Sequence, residues 1–293
     1  MNSAPTYLNG PIVIVGGAGQ MGRFFTRLFE GAGGDVRILD EGDWPRAAEI
    51  VAGAKLVLLS VPIHSTVEVI NRLPKLADDC ILADLTSTKT APVDAMLAAH
   101  DGPVVGLHPM FGPDTQGLEN QVIAYVEARP AQDGDGDEWL GAFLRNSGAI
   151  VQKTTAEQHD RAMVLIQALR HFTAFTYGAH LMQEDADLGE LLAFSSPIYR
   201  LELAMVGRLF AQDADLYADI IFSNPDNISM IRKYADHFSA AVSMLEAGDK
   251  DGFKAAFSQV SKFMGDYAPH FLAETSELLS HTGRTMKRDP KKK

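Results

Sequence analysis

Between residue 11 and about residue 152, short runs of β-branched and aliphatic residues alternate with longer segments whose apolar positions recur at helical spacing. The runs read "PIVIV", "DVRIL", "KLVLLSV", "CILAD", "PVVGL", "VIAYVEA" and "AIVQ". Parallel strands need crossovers, and the segments between the runs, such as Met21 to Gly31 and Thr66 to Leu76, are long enough to be helices. The pattern predicts an α/β domain of βαβ units over residues 1–153. Its last strands follow short loops, which leaves their pairing open.

Past residue 153 the strand signals stop. "TTAEQHD" offers Thr154 as a helix N-cap with Glu157 three residues on, and the helical pattern then runs to about Met182. Ser196 followed by Pro197 marks another helix start, while "NPDN" and "AGDKDG" punctuate two more. Residues 154–293 therefore read as an all-helical second domain. Its apolar residues spread widely around the helices, as expected where part of the surface is buried against a second copy, so a homodimer is expected.

Composition narrows the class. A chain of 293 residues with 46% hydrophobic content can bury a substantial core. No apolar run approaches the ~20 residues of a membrane span, and "MNSAPTYLNG" lacks a signal-sequence pattern, so a cytoplasmic protein without a membrane partner is expected. The net charge of −12 speaks against a nucleic-acid surface, and the basic tail "KRDPKKK" reads as a solvated end. The single cysteine, Cys80, can form no internal disulfide, reads as a small buried thiol, and leaves no cysteine-ligated metal site.

The first strand leads into "GGAGQMG", in which Gly17, Gly19 and Gly22 have G-x-G-x-x-G spacing and the following residues open a helix. Gly17 permits the tight turn, Gly19 lets backbone approach a pyrophosphate, and Gly22 lets helix pack on strand, with Gln20 and Met21 at the helix N-terminus that faces the negative charge. Asp40 ends the second strand 23 residues after Gly17. A carboxylate there accepts hydrogen bonds from ribose hydroxyls and repels a 2′-phosphate, which favours NAD over NADP; Arg37 and Arg46 lie near enough in sequence to offset that preference.

In an open α/β sheet ligands sit beyond the carboxyl ends of the strands. Polar chemistry recurs there: Ser60, Val61 and Pro62 in "SVPIH", Ser87 and Lys89 in "DLTSTK", and His108 in "GLHPMFGP". A histidine beside a nicotinamide can take a hydroxyl proton as hydride leaves the same carbon. Ser87 is read as a further hydrogen-bond donor or as the cap of the helix that follows, and Lys89 as an anion-binding or an exposed residue. In the helical half, Arg170 and His171 of "IQALRHF" and Arg200 and Arg208 of the next helix lie in apolar stretches. Such arginines pair either with carboxylates such as Glu202 or with a substrate carboxylate.

Together "VIVGGAGQMGR", "SVPIH", "LHPMFGPD", "EQHD", "IQALRHF", "LLAFSSPIYRLELAMVGRLFAQD", "LYADIIFSN" and "GDYA" resemble the prephenate dehydrogenase family over nearly the whole chain, in the form that often follows a chorismate mutase domain. The resemblance implies a Rossmann-type domain followed by a helical dimerisation domain. It also implies NAD-dependent oxidative decarboxylation of prephenate to 4-hydroxyphenylpyruvate, on the route to tyrosine. By it, His108 takes the 4-hydroxyl proton with help from Ser87, Arg208 binds a substrate carboxylate, and His171 and Lys89 line the substrate pocket. With the first strand near residue 11, a monofunctional enzyme or an excised domain is expected. The loop reads "LTSTK" where the family pattern is nearer "SVK", with Ser87 and Lys89 kept.

Three rivals remain open at this level, one of them an imine or hydroxy-acid reductase with a similar helical half, which would be expected to offer a lysine or aspartate in its long helix. Arogenate or 4-amino-4-deoxyprephenate differs from prephenate by one amino group, which a few pocket residues could select. A non-catalytic NAD-binding dimer would keep the glycine loop but would need neither His108 nor Arg208.

Overall fold

The computed structural model describes residues 10–131 and 138–282; the tail "KRDPKKK" lies outside them. The seven apolar runs all become strands: β1 (Ile12–Val15), β2 (Val36–Leu39), β3 (Leu56–Leu59), β4 (Ile81–Asp84), β5 (Val104–Pro109), β6 (Val122–Arg129) and β7 (Ile150–Lys153). They form one sheet in the order β2-β1-β3-β4-β5-β6-β7.

From β2 to β5 every neighbouring pair is parallel. Helices α1 (Gln20–Gly31), α3 (Ile63–Arg72) and α4 (Thr90–Ala99) make the longer connections, and the short α2 (Ala47–Ile50) follows a 3₁₀ turn after β2. The pairing left open by the sequence now resolves. Strand β6 runs antiparallel to β5, because no helix lies between them to carry the chain back, whereas α5 (Glu138–Asn146) returns it so that β7 lies parallel to β6.

Both faces of the sheet are covered, and the two-residue period of the strands sorts their side chains. Ile12 and Ile14 join Phe25 and Phe29 of α1 and Leu140 and Phe143 of α5 on one face. Val13 and Val15 join Ile70 of α3 and Val93 and Met96 of α4 on the other. Cys80 is buried beside this second layer, and burial pushes its thiol up to about 12, as expected of an inert packing residue.

The helical pattern after β7 is one run interrupted by a π-helical stretch, Val164–Leu169, between α6 (Ala156–Met163) and α7 (Arg170–Gln183). Its cap is displaced by one residue from the expected Thr154: the Thr155 side chain accepts the amide of Gln158. The compact units also divide later than the strand pattern implies. One holds the residues up to Ile166 with Ala218–Ser223, and the other holds Gln167–Tyr217 and the residues from Asn224 onward. Strands do end at 153, yet α6 belongs with the sheet, since Ala156 and His159 are buried there.

The second unit contains α7, α8 (Leu188–Phe194), α9 (Pro197–Phe210), α11 (Pro225–Glu246), α12 (Lys250–Met264) and α13 (Tyr267–Thr282), while α10 (Ala214–Phe222) is divided between the units. The expected punctuation holds: Ser196 is the N-cap residue of α9, Asn224 caps α11 and Asp249 caps α12. Among the described residues of this unit, Ala168 is the only buried apolar side chain. Phe194, Phe263 and Met182 are 84%, 86% and 74% exposed. Phe175, Met182, Leu192, Leu203, Val206 and Phe210 line an open apolar groove of about 930 Å³. No helix of the described residues is long and apolar enough to cross a membrane.

Candidate active site

The glycine loop follows β1 directly. Gly16, which the sequence reading did not single out, makes the turn with φ +82, and a Cβ on it would lie 2.5 Å from the Ser60 carbonyl oxygen. Gly17 has no room for a Cβ beside Ile38, and a Cβ on Gly22 would fall 2.3 Å from the Gly16 oxygen. Gly19 is the N-cap residue of α1, so Gln20, Met21 and Gly22 form its first turn. Ser60 and Val61 crowd the same turn, and Pro62 is the N-cap residue of α3.

The carboxylate of Asp40 accepts the Ala18 amide at 3.2 Å, tying the end of β2 to the glycine loop. Gly17, Ala18, Ile38 and Asp40 line a cavity of about 380 Å³ with Arg23, Thr26 and Arg27. Arg37 and Arg46, the two residues expected to offset a preference for NAD, are engaged elsewhere: Arg37 donates to the Ile50 and Ala52 carbonyls, and Arg46 pairs with Glu49.

His108 lies in β5 and is only 3% exposed. Its Nδ1 is 2.8 Å from Nε2 of His159, and His159 Nδ1 is 2.8 Å from Oδ1 of Asp160. Asp160 in turn accepts the Lys89 amide at 2.8 Å, the Thr90 amide at 2.9 Å and the Thr90 hydroxyl at 2.6 Å. A carboxylate from α6, some 70 residues on, thus caps the N-terminus of α4. That is the place where a helix favours negative charge. Ser87 is therefore not the cap; it stands half-buried in the loop between β4 and α4.

Burial disfavours a charged Asp160, but the His159 ring and the three Lys89 and Thr90 donors outweigh it and hold the carboxyl down at about 2. Burial first, then the repulsion that a proton on His159 would exert and that of Lys89, push His108 well below 6.5. His108 is accordingly a neutral imidazole at neutral pH.

Lys89 departs from its expected role as a residue lining the substrate pocket. Its side chain is fully buried, and its ammonium donates to Oδ2 of Asp84 at 2.5 Å and to the Leu107 carbonyl at 2.7 Å. Asp84 ends β4 and Leu107 lies within β5, so Lys89 ties β4 to β5 one residue before His108. Burial lowers its pKa while Asp84 raises it. The other oxygen of Asp84, Oδ1, is buried without a hydrogen-bond partner among the described residues.

In the helical unit, His171 meets Tyr217 edge-on at 4.8 Å between ring centroids. Burial lowers the His171 pKa, with Arg170 adding to the effect. Arg208 is close enough to act on Tyr217, opposing the upward push that burial gives its hydroxyl. Arg208 is exposed and makes no ion pair among the described residues, so the internal salt bridge weighed for it is not formed. Tyr217, His159 and Asp160 are the site residues sequence reading missed. "EQHD" carried the last two, but nothing local shows that they reach His108.

A glycine loop at the head of a parallel sheet, with a buried imidazole chain in the same unit, defines a nucleotide-binding α/β protein equipped for proton transfer. Comparison with known proteins gives the family. Residues 32–130 match the prephenate dehydrogenase nucleotide-binding domain and residues 155–259 the prephenate dehydrogenase dimerization domain. The chain is 51% identical over 269 residues to the T-protein of Enterobacter agglomerans, covering 92% of this chain and 71% of that one. It is 46% identical, with the same coverage, to the T-protein of Haemophilus influenzae. It belongs to the prephenate dehydrogenase family. In fold it is similar to the crystal structure of prephenate dehydrogenase from A. aeolicus in complex with hydroxyphenyl propionate and NAD+, at TM-score 0.62 and 18% identity, covering 92% of this chain and 98% of that one.

Proposed function

We propose that this chain catalyses NAD-dependent oxidative decarboxylation of prephenate to 4-hydroxyphenylpyruvate in the cytoplasm, on the route to tyrosine, and that it works as a homodimer through its helical half. The observation that carries the reading is the His108–His159–Asp160 chain, a buried neutral base held by a carboxylate in the nucleotide-binding unit. The glycine loop fits a dinucleotide: a Cβ would collide with Ser60 at Gly16, with Ile38 at Gly17 and with the turn itself at Gly22, and Asp40 borders the adjoining cavity. NAD, when bound, accepts the hydride that leaves C4 of the substrate.

His108 accepts the 4-hydroxyl proton as the C4–O bond becomes a carbonyl. The C1–carboxylate bond then breaks, its electron pair enters the ring to complete aromatisation, and His108 returns the proton to the oxygen that becomes the phenol. No net proton is lost, so one buried base suffices. Ser87 adds a hydrogen bond to the same hydroxyl. Arg208, which no carboxylate neutralises among the described residues, binds a substrate carboxylate, and His171 lies beside it through Tyr217. The dimer is supported by the exposed phenylalanines and the apolar groove of the helical unit, which a second copy would cover.

The test is NADH formation with prephenate, arogenate and 4-amino-4-deoxyprephenate, each with NAD and with NADP. Prephenate with NAD should give the highest kcat/KM; turnover confined to either amino compound would replace the substrate, and none with all three would end the reading. Arg208→Ala should raise KM for prephenate at least ~10-fold with a smaller change in kcat, since one charge-assisted hydrogen bond to a carboxylate is lost. Asp40→Ala should raise KM for NAD about 10-fold while leaving that for NADP nearly unchanged, so the ratio of the two kcat/KM values reports the role of the carboxylate.

A further inference from the structure

We propose that His159 and Asp160 are positioning residues that lock the proton of His108 onto Nδ1, so that Nε2 carries the lone pair that receives the substrate proton. The inference deepens the functional reading above and rests on it only for the word substrate; the tautomer itself follows from the hydrogen-bond geometry with His159 in its neutral form. Asp160 is the fixed end. Its carboxylate accepts the Lys89 amide, the Thr90 amide and the Thr90 hydroxyl, and an ionised carboxylate can only accept. His159 Nδ1, 2.8 Å from Oδ1, must therefore carry a hydrogen.

A neutral His159 then has its lone pair on Nε2, and that nitrogen faces His108 Nδ1 at 2.8 Å. Two lone pairs cannot face each other at this distance, so His108 Nδ1 donates. The base is left on Nε2. The rings meet edge-on, 71° apart, and both side chains are almost fully buried, so water does not compete for these nitrogens. When His108 takes a proton, the resulting imidazolium can share its charge through His159 with Asp160. The nearby Asp84–Lys89 pair is already balanced.

A histidine at i and an aspartate at i+1 of a helix do not ordinarily serve one function, because their side chains leave the helix on different sides. Here α6 packs against α4 and β6, so Asp160 reaches the N-terminus of α4 while His159 bridges back to His108. A purely structural reading, in which Asp160 caps α4 and His159 fills space, leaves His108 in the Nε2-protonated form that free histidine prefers.

The experiment reads the tautomer directly, by long-range ¹H–¹⁵N correlation of the histidine rings in the intact protein, alongside kinetics. Wild type should show His108 protonated on Nδ1, the minor form of free histidine. His159→Leu removes the acceptor and should move the hydrogen largely to Nε2, with kcat down on the order of 100-fold and KM and NAD affinity little changed, the pattern of a mis-set base. His159→Gln offers an acceptor oxygen and should restore the Nδ1 form and most of kcat. His108 protonated on Nε2 in wild type, or unaltered in a folded His159→Leu, overturns the proposal, as does a His159→Gln variant no better than the leucine. Absence of turnover with every cyclohexadiene would instead remove the functional reading while leaving the tautomer result standing.

Discussion

His108→Asn should lower kcat for prephenate at least ~100-fold, the usual scale of general acid-base help, while leaving NAD affinity within about two-fold of wild type. Asparagine is the informative replacement because its amide can still donate to His159, which keeps the interior satisfied but offers no proton acceptor. In the proposed complex the nucleotide is held by the glycine loop and the loop after β3, neither of which the substitution touches. Steady-state kinetics with a separate NAD titration checks it, and a fully active variant would remove His108 from the mechanism.

The pH dependence follows from the same residue. His108 must be neutral to act, and burial, His159 and Lys89 together hold its pKa well below 6.5. The acid limb of kcat/KM should therefore lie below pH 6.5, not at it. Stability has the same sign: between the folded and unfolded values the unfolded chain binds the proton and the folded chain does not. The stabilising contribution is thus complete above pH 6.5 and declines as pH falls from there through the folded value.

Lys89→Met should destabilise the protein by about 3–5 kcal/mol, the cost of leaving one member of a buried ion pair without its partner. Lys89 and Asp84 are both fully buried, and one oxygen of Asp84 already has no hydrogen-bond partner among the described residues. Removing the ammonium would leave that carboxylate with only the Thr86 donors and would free the Leu107 carbonyl beside His108. Urea unfolding should show the loss as a lower midpoint. Asp84→Leu combined with Lys89→Met should recover most of it, because an apolar pair of similar volume carries no desolvation cost. A single variant as stable as wild type would mean that the buried pair contributes little. The double variant should still turn over slowly, since nothing then holds the peptide that precedes His108.

Seven apolar runs were enough to predict the strands and the α/β class, and the glycine spacing to predict a turn leading into α1, because each depends on local periodicity or fixed spacing. His108 and Arg208 could be singled out as candidates, the first by its place near a strand end and the second by its apolar helix. Tertiary structure decided the rest. That Lys89 turns inward to Asp84 instead of outward to an anion depends on the register of β4 against β5 and on the crossing of α4 over both. That Asp160 caps α4, displacing Ser87 from that role, and that His159 then governs the tautomer of His108, depends on α6 folding back onto the sheet unit some 70 residues after the groups it meets. Hydrophobic period and turn chemistry are properties of neighbours in sequence; the proton's place on an imidazole is set by whichever acceptor the fold brings to 2.8 Å.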